Sequence, residues 1–226
     1  MSAYLSRGLG LALRGVMALI LLVRHPRPIH AHGAIFDGRL TLRPNPGSGI
    51  RGIDDPPAAE VPVVVRVSRS VGTPSWAPDV YGLGIRWVHG AEEVDLQLAS
   101  TGIGVPGRFL LLPRLTPTRA TFSSVVPYRT PRGPVMLGAR TVPPRRLPGA
   151  VTELRRAVDD QPWQLRLYYA SPGGLWHPFA EVRLDSARDA DDASLRFDID
   201  RRPLPGAETY PSMRALRGPS YRLTQG

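Results

Sequence analysis

No cysteine occurs among the 226 residues, which excludes disulfide scaffolds, thiolate zinc sites, iron–sulfur clusters and cysteine nucleophiles. Lysine is absent too, so all 29 basic residues are arginine, and asparagine occurs once, at Asn45. No uninterrupted apolar run approaches the ~20 residues that a membrane-spanning helix needs. The catalytic signatures G-x-S-x-G, the Walker loop and H-E-x-x-H are all missing. Acids are scarce at the N-terminus, where Asp37 is the only one between residues 1 and 53. That leaves His30 and His32, which would share a face on a strand, without the carboxylates that a hydrolytic metal centre needs. The acidic run 185–192 reads as a solvated loop.

What is abundant is equally telling. The chain has 25 Pro and 23 Gly, about a fifth of its residues, a composition of short strands and many turns rather than a helical bundle. Basic residues outnumber acidic ones 29 to 19, giving a net charge of +10 and a pI near 11. Such a balance invites a nucleic-acid reading. The arginines, however, are scattered among acids rather than gathered on one periodic face. An Arg-rich, Lys-free composition is also what the codon bias of a GC-rich genome produces. The expectation is therefore no nucleic acid.

Residues 5–23 read as an amphipathic helix, with Arg7 and Arg14 seven apart on one narrow face and Leu, Val, Met and Ile over the rest. A packed or membrane-surface helix fits better than a signal peptide, because no A-x-A site follows and Arg24, His25 and Pro26 come at once. Residues 1–25 thus form an N-terminal helical segment and 26–226 the main domain.

In that domain the hydrophobic period becomes two. Strands are expected at 33–42, 61–69, 82–88, 94–99, 108–112, 134–140, 163–170, 178–185 and 194–199. A helix is expected at 150–159 and another in the Arg- and Tyr-rich stretch 207–226, while 42–60 reads as a disordered loop. The fold class is mainly β (α+β), an antiparallel barrel or sandwich of eight or nine short strands.

Several segments then share one resemblance. Residues 27–38, RPIHAHGAIFDG, are similar to the pattern R-x-x-H-A-x-G with a further Gly eight residues after the His, met by Arg27, His30, Ala31, Gly33 and Gly38. Residues 66–72, RVSRSVG, resemble an R-F-S segment with Val67 in place of Phe, and 79–86, DVYGLGIR, resemble a D-x-x-G-(F/L)-(A/G)-(V/I)-(K/R) strand. Asp95-Leu96 followed by 99–101 stands where a D-L-x-x-N-N-T is expected. Arg217, Tyr221 and Thr224 fit R-x-x-x-Y-x-x-(T/S), preceded by Gly206 and Glu208. These are the distal and proximal motifs of the catalase superfamily, in order over residues 27–225, and the chain resembles its smaller peroxidase relatives.

The resemblance implies an eight-stranded catalase-like β-barrel with a short C-terminal helix and a ferric heme b. Tyr221 would be the axial metal ligand, its phenolate stabilised by Arg217 one helical turn earlier. His30 would move a proton between peroxide oxygens, and Ser68 would fix its tautomer. Arg27 and Arg66 would pair with the heme propionates. Ser100 replaces the distal Asn, so peroxide would be oriented more loosely. The implied function is a heme-dependent peroxidase-like oxidoreductase acting on hydrogen peroxide or organic hydroperoxides, in the cytoplasm and with residues 5–23 as a peripheral membrane contact. A homo-oligomer is left open. The alternatives are a heme-free barrel that binds a lipid or other apolar small molecule and, behind it, a hydrolase such as a phosphodiesterase.

Overall fold

The computed structural model describes residues 33–43, 46–56, 60–143, 145–189 and 195–210. The described residues form nine strands, the seven longer ones built on alternating apolar residues: β1 (Gly33–Leu42), β2 (Glu60–Arg69), β3 (Tyr81–His89), β4 (Glu92–Thr101), β5 (Thr121–Ser123), β6 (Tyr128–Thr130), β7 (Gly133–Thr141), β8 (Trp163–Ala170) and β9 (His177–Ala187). They hydrogen-bond in the order β5-β4-β3-β2-β1-β9-β8-β7-β6, all antiparallel, and β5 pairs with β7 as well. That extra pairing closes eight strands into a barrel and leaves β6 as an added strand on β7. Closure removes the open sheet edges that invite aggregation.

Odd positions of β2 and β3 (Val63, Val65, Val67; Leu83, Ile85, Trp87) and even positions of β4 (Val94, Leu96, Leu98) fill the bore. Phe36, Phe122, Leu165, Leu167 and Trp163 complete it, and the Trp163 indole N–H donates to Thr141 Oγ1 at 3.1 Å. The interior is a packed core. Strand β1 bends at Asp37/Gly38, where its register against β9 shifts by one residue. A Cβ on Gly38 would lie 2.1 Å from the Arg183 carbonyl oxygen, so β1 and β9 can approach this closely only with glycine there. Helix α1 (Arg51–Asp54) is a single turn, and α2 (Val151–Asp160) packs Leu154 and Val158 inward beside β9 and β1.

Seven of the expected strands and the 150–159 helix are present within two residues of their expected ends. Three expectations are corrected. Residues 108–112 are not a strand: Gly107–Phe109 form a 3-10 turn, and only an isolated bridge joins Leu111 to Thr101. The loop is pinched shut at Gly102 and Gly107, where a Cβ on Gly102 would sit 2.9 Å from the Gly107 Cα. Residues 195–199 of the ninth expected strand make no ladder, because β3 and β4 side chains take up their backbone groups.

The third correction concerns 42–60, whose described part 46–56 is packed rather than disordered. Asp54 accepts hydrogen bonds from the Ser48 and Gly49 N–H groups at 2.7 and 2.8 Å, and Ile50 and Ile53 are buried. Strands β5 and β6, three residues each, are too short to show alternation and were not expected. Residues 207–210 are non-helical, with Glu208 bridging Arg129. The N-terminal helix 5–23 and residues 211–226 lie outside the described residues. No described helix is long and apolar enough to cross a membrane.

Candidate functional site

Strand pleating puts residues 66 and 68 on the outer face of the barrel, opposite the bore-lining valines. Register then carries each across four strands. Ser68 pairs with Gly33 on one side and Gly82 on the other, and Gly82 pairs with Ala99. The outer wall here is a row of four small residues. One step along, Arg66 pairs with Ile35 and with Gly84, which pairs with Gln97. Ser68 and Ile35 are buried, and Arg66 is half-buried. The Ser68 row carries no large side chain, and Arg66 stands one row from it on the same face.

A third row, Asp37–Val64–Arg86–Asp95, binds a loop to this face. Arg86 makes a fork of two hydrogen bonds to Asp95, from Nε at 2.7 Å and from one terminal nitrogen at 2.8 Å, and also reaches the Arg196 carbonyl at 2.6 Å. Asp95 accepts the Asp198 N–H at 2.7 Å, and Gln97 donates to the Phe197 carbonyl at 2.6 Å. The Phe197 ring lies on bare Gly84, where a Cβ would meet it at 2.9 Å, with the Arg86 guanidinium 4.9 Å from the ring centre. Hydrogen bonding to Asp95 raises the pKa of Arg86, against the opposing effect of burial. The Arg86 guanidinium therefore stays charged at any ordinary pH.

Ser100 lies elsewhere. It pairs with inward-facing Phe122, and its neighbour Ala99 is the residue that shares the Ser68 face. The Ser100 hydroxyl is fully buried, accepts the Tyr81 N–H at 3.0 Å and donates its single proton to the Leu112 carbonyl at 2.8 Å. The structure thus brings Ser68 and Arg66 together and leaves Ser100 apart from them, its donor already engaged. His30, Arg27, Arg217 and Tyr221 lie outside the described residues.

Sequence reasoning missed a second buried hub at this end of the barrel. Arg69 pairs with Asp79 at 3.5 Å and donates to the Thr73, Pro74, Ala77 and Gly149 carbonyls. Asp79 accepts the N–H groups of Val71, Gly72 and Thr73 at 2.9 to 3.0 Å, which shapes the β2–β3 loop. The signal was available, since Asp79 ends the turn cluster that opens β3. Among the described residues, no three His, Asp or Glu side chains gather closely enough to hold a metal ion.

No protein-family model matches the chain, and no curated protein is similar to it in sequence. Solved structures are similar to it in fold. Catalase A from Saccharomyces cerevisiae superposes with a TM-score of 0.64 at 11% identity, over 92% of this chain and 64% of its own. A fungal catalase gives 0.60 at 13% identity over 92% and 63%, and a bacterial catalase 0.56 at 13% over 89% and 57%. The barrel is catalase-like. The chain spans about three-fifths of the length of these neighbours, and at such identities the likeness is one of fold.

Proposed function

We propose that the protein is a heme-dependent, peroxidase-like oxidoreductase that acts on hydrogen peroxide or organic hydroperoxides. The observation that carries this reading is the combination of a catalase-like barrel with Arg66 and Ser68 side by side on the outer face of β2. A flat macrocycle needs a wall without projecting side chains, and the row Gly33–Ser68–Gly82–Ala99 supplies one across four strands. Propionates need a cation at the margin of that wall, and Arg66 stands one row away. In these two respects the described residues fit the group.

In this reading Tyr221 would hold the iron, Arg217 would stabilise its phenolate, and Arg27 and Arg66 would hold the propionates. When bound, ferric heme supplies a Lewis acid and an electron reservoir for cleaving an O–O bond. His30 would take a proton from one peroxide oxygen and return it to the other as the O–O bond breaks, as a neutral imidazole can. Ser68 orients that imidazole. In the same reading the Ser100 hydroxyl, which accepts the Tyr81 N–H and donates to the Leu112 carbonyl, ties β3 to the 110–112 segment rather than orienting peroxide. The described bore is filled by side chains such as Trp87, Phe122 and Trp163, so a lipid would have to bind outside the barrel.

The test is the absorption spectrum of the full chain titrated with hemin. The expected result is a ferric Soret band that saturates at one equivalent and is lost in Tyr221→Phe. Peroxide turnover should be lost in His30→Ala while the band remains. A flat spectrum at excess hemin, or turnover unchanged in His30→Ala, overturns the reading.

A further inference from the structure

Strand β7 lies across the barrel from β2, four strands away in either direction, and its outer face carries a slot of about 170 Å³. Gly138 forms the floor with the backbone of Phe122, Trp176 and Tyr168 form the walls, and Arg140 stands two residues along β7 from Gly138 on the same face. None of these residues belongs to the face described above.

The Trp176 wall is fixed in place rather than draped on the surface. Its indole N–H donates to the Ile103 carbonyl at 2.8 Å, the Arg108 guanidinium lies 4.6 Å from its ring centre, and its edge rests on Gly138, where a Cβ would come within 3.0 Å. Arg108 is itself buried and anchored on the Ser171 and Gly174 carbonyls. Three contacts on one half-buried ring make a preformed aromatic surface, which lowers the entropic cost of stacking a ligand on it.

The charge at the slot is unbalanced. Arg140 and Arg166 are directly opposed across β7 and β8, an arrangement that disfavours the pair. Arg166 is neutralised by Glu181, at 2.9 and 3.0 Å. Exposed Arg140 has no carboxylate partner among the described residues. A planar guanidinium beside an aromatic wall matches a planar anion on a ring, which it can bind bidentately. Size sets the rest, because an apolar cavity of ~150 Å³ is enough for benzene.

We propose that this slot binds a single-ring aromatic carboxylate, its ring against Trp176 and its carboxylate on Arg140. The test uses benzoate as the probe on the full chain. Binding is followed by the ¹⁵N-labelled indole resonance of Trp176, assigned with Trp176→Phe. The expected result is a saturable shift of that resonance with a dissociation constant at or below ~1 mM, within reach for a ligand of this few atoms. Arg140→Gln should weaken binding ~10-fold or more, as loss of a charge-assisted hydrogen bond does, and Arg140→Lys should recover part of it. Benzyl alcohol, with the ring but no charge, should bind as weakly to the native chain as benzoate does to Arg140→Gln. No saturable shift up to the solubility limit of benzoate overturns the proposal. So does benzoate binding unchanged in Arg140→Gln, or benzyl alcohol binding as tightly as benzoate. Because the readout is an indole far from β2, the result is independent of whether the chain binds heme.

Discussion

Ser100 separates two accounts of the same residue, and Ser100→Ala decides between them. Its Oγ makes two hydrogen bonds, to the Tyr81 N–H and the Leu112 carbonyl, at 3.0 and 2.8 Å. The hydroxyl is fully buried, so water cannot replace it without opening the wall. Each neutral hydrogen bond is worth ~0.5–1.5 kcal/mol net, and stranding a buried partner costs more than losing the bond alone. Removing both gives ~2–3 kcal/mol. For a chain of this length ~1 kcal/mol moves Tm by ~2–4 °C, so the variant should melt ~4–12 °C lower. The assay is thermal unfolding by circular dichroism, paired with peroxide consumption by the hemin-loaded protein well below either Tm. A positioning role predicts a lowered Tm with turnover changed less than ~3-fold. An unchanged Tm with turnover down ~10-fold or more would refute the reasoning, because it would mean that the hydroxyl faces substrate.

Two further outcomes are expected. Asp95→Ala leaves the Arg86 guanidinium without its carboxylate partner and the Asp198 N–H without its acceptor. Breaking one side of a buried ion pair costs ~3–5 kcal/mol. Denaturant unfolding should show that loss, and amide exchange at 196–200 should accelerate; equal exchange rates would mean that the loop is held by something other than Arg86 and Asp95. The Tyr81 phenol has its pKa raised, chiefly by burial and against the opposing effect of Arg69. The folded state thus keeps a proton that the unfolded chain gives up near pH ~10. Stability from this group is complete below pH ~10 and falls as pH rises from there through the folded value. Tyr81→Phe should flatten the alkaline limb of a Tm-versus-pH curve, and an alkaline limb as steep as before would remove Tyr81 as its cause.

Legibility in the sequence tracked the length over which one physical signal was repeated. Strands β1, β2, β8 and β9 carry eight to eleven residues each, enough for period-two burial to stand out and for their ends to be placed within two residues. Strands β5 and β6 carry three each, and what makes them strands is the partner β7, which local sequence does not name. The reverse error has the same origin. Leu110, Leu111 and Leu112 are as apolar as a strand, but the pinch between Gly102 and Gly107 turns their segment back over the barrel, and only a close approach in space explains those glycines. The 195–199 segment also has the right alternation, yet Arg86, Asp95 and Gln97 offer side chains where a ladder would offer backbone.

The motif residues show why a resemblance can be right about a fold while each side chain still has to be placed by its own contacts. Gly38, Asp79, Gly84 and Asp95 match the family patterns, and each has a local physical cause. Gly38 allows the β1–β9 approach, Asp79 closes the β2–β3 loop, Gly84 seats Phe197, and Asp95 fixes Arg86. Constraints of that kind belong to the barrel and persist whatever chemistry it serves. Ser100 was given a role by its place in the same pattern, but pleating decides which face a strand residue presents, and a displacement of one residue reverses it. Ala99 faces outward with Ser68, and Ser100 does not. A site residue on a strand is therefore assigned safely only through its cross-strand partners. By that criterion Arg66 and Ser68, flanked by Ile35 and Gly84 and by Gly33 and Gly82, are the described positions on which the proposed chemistry rests.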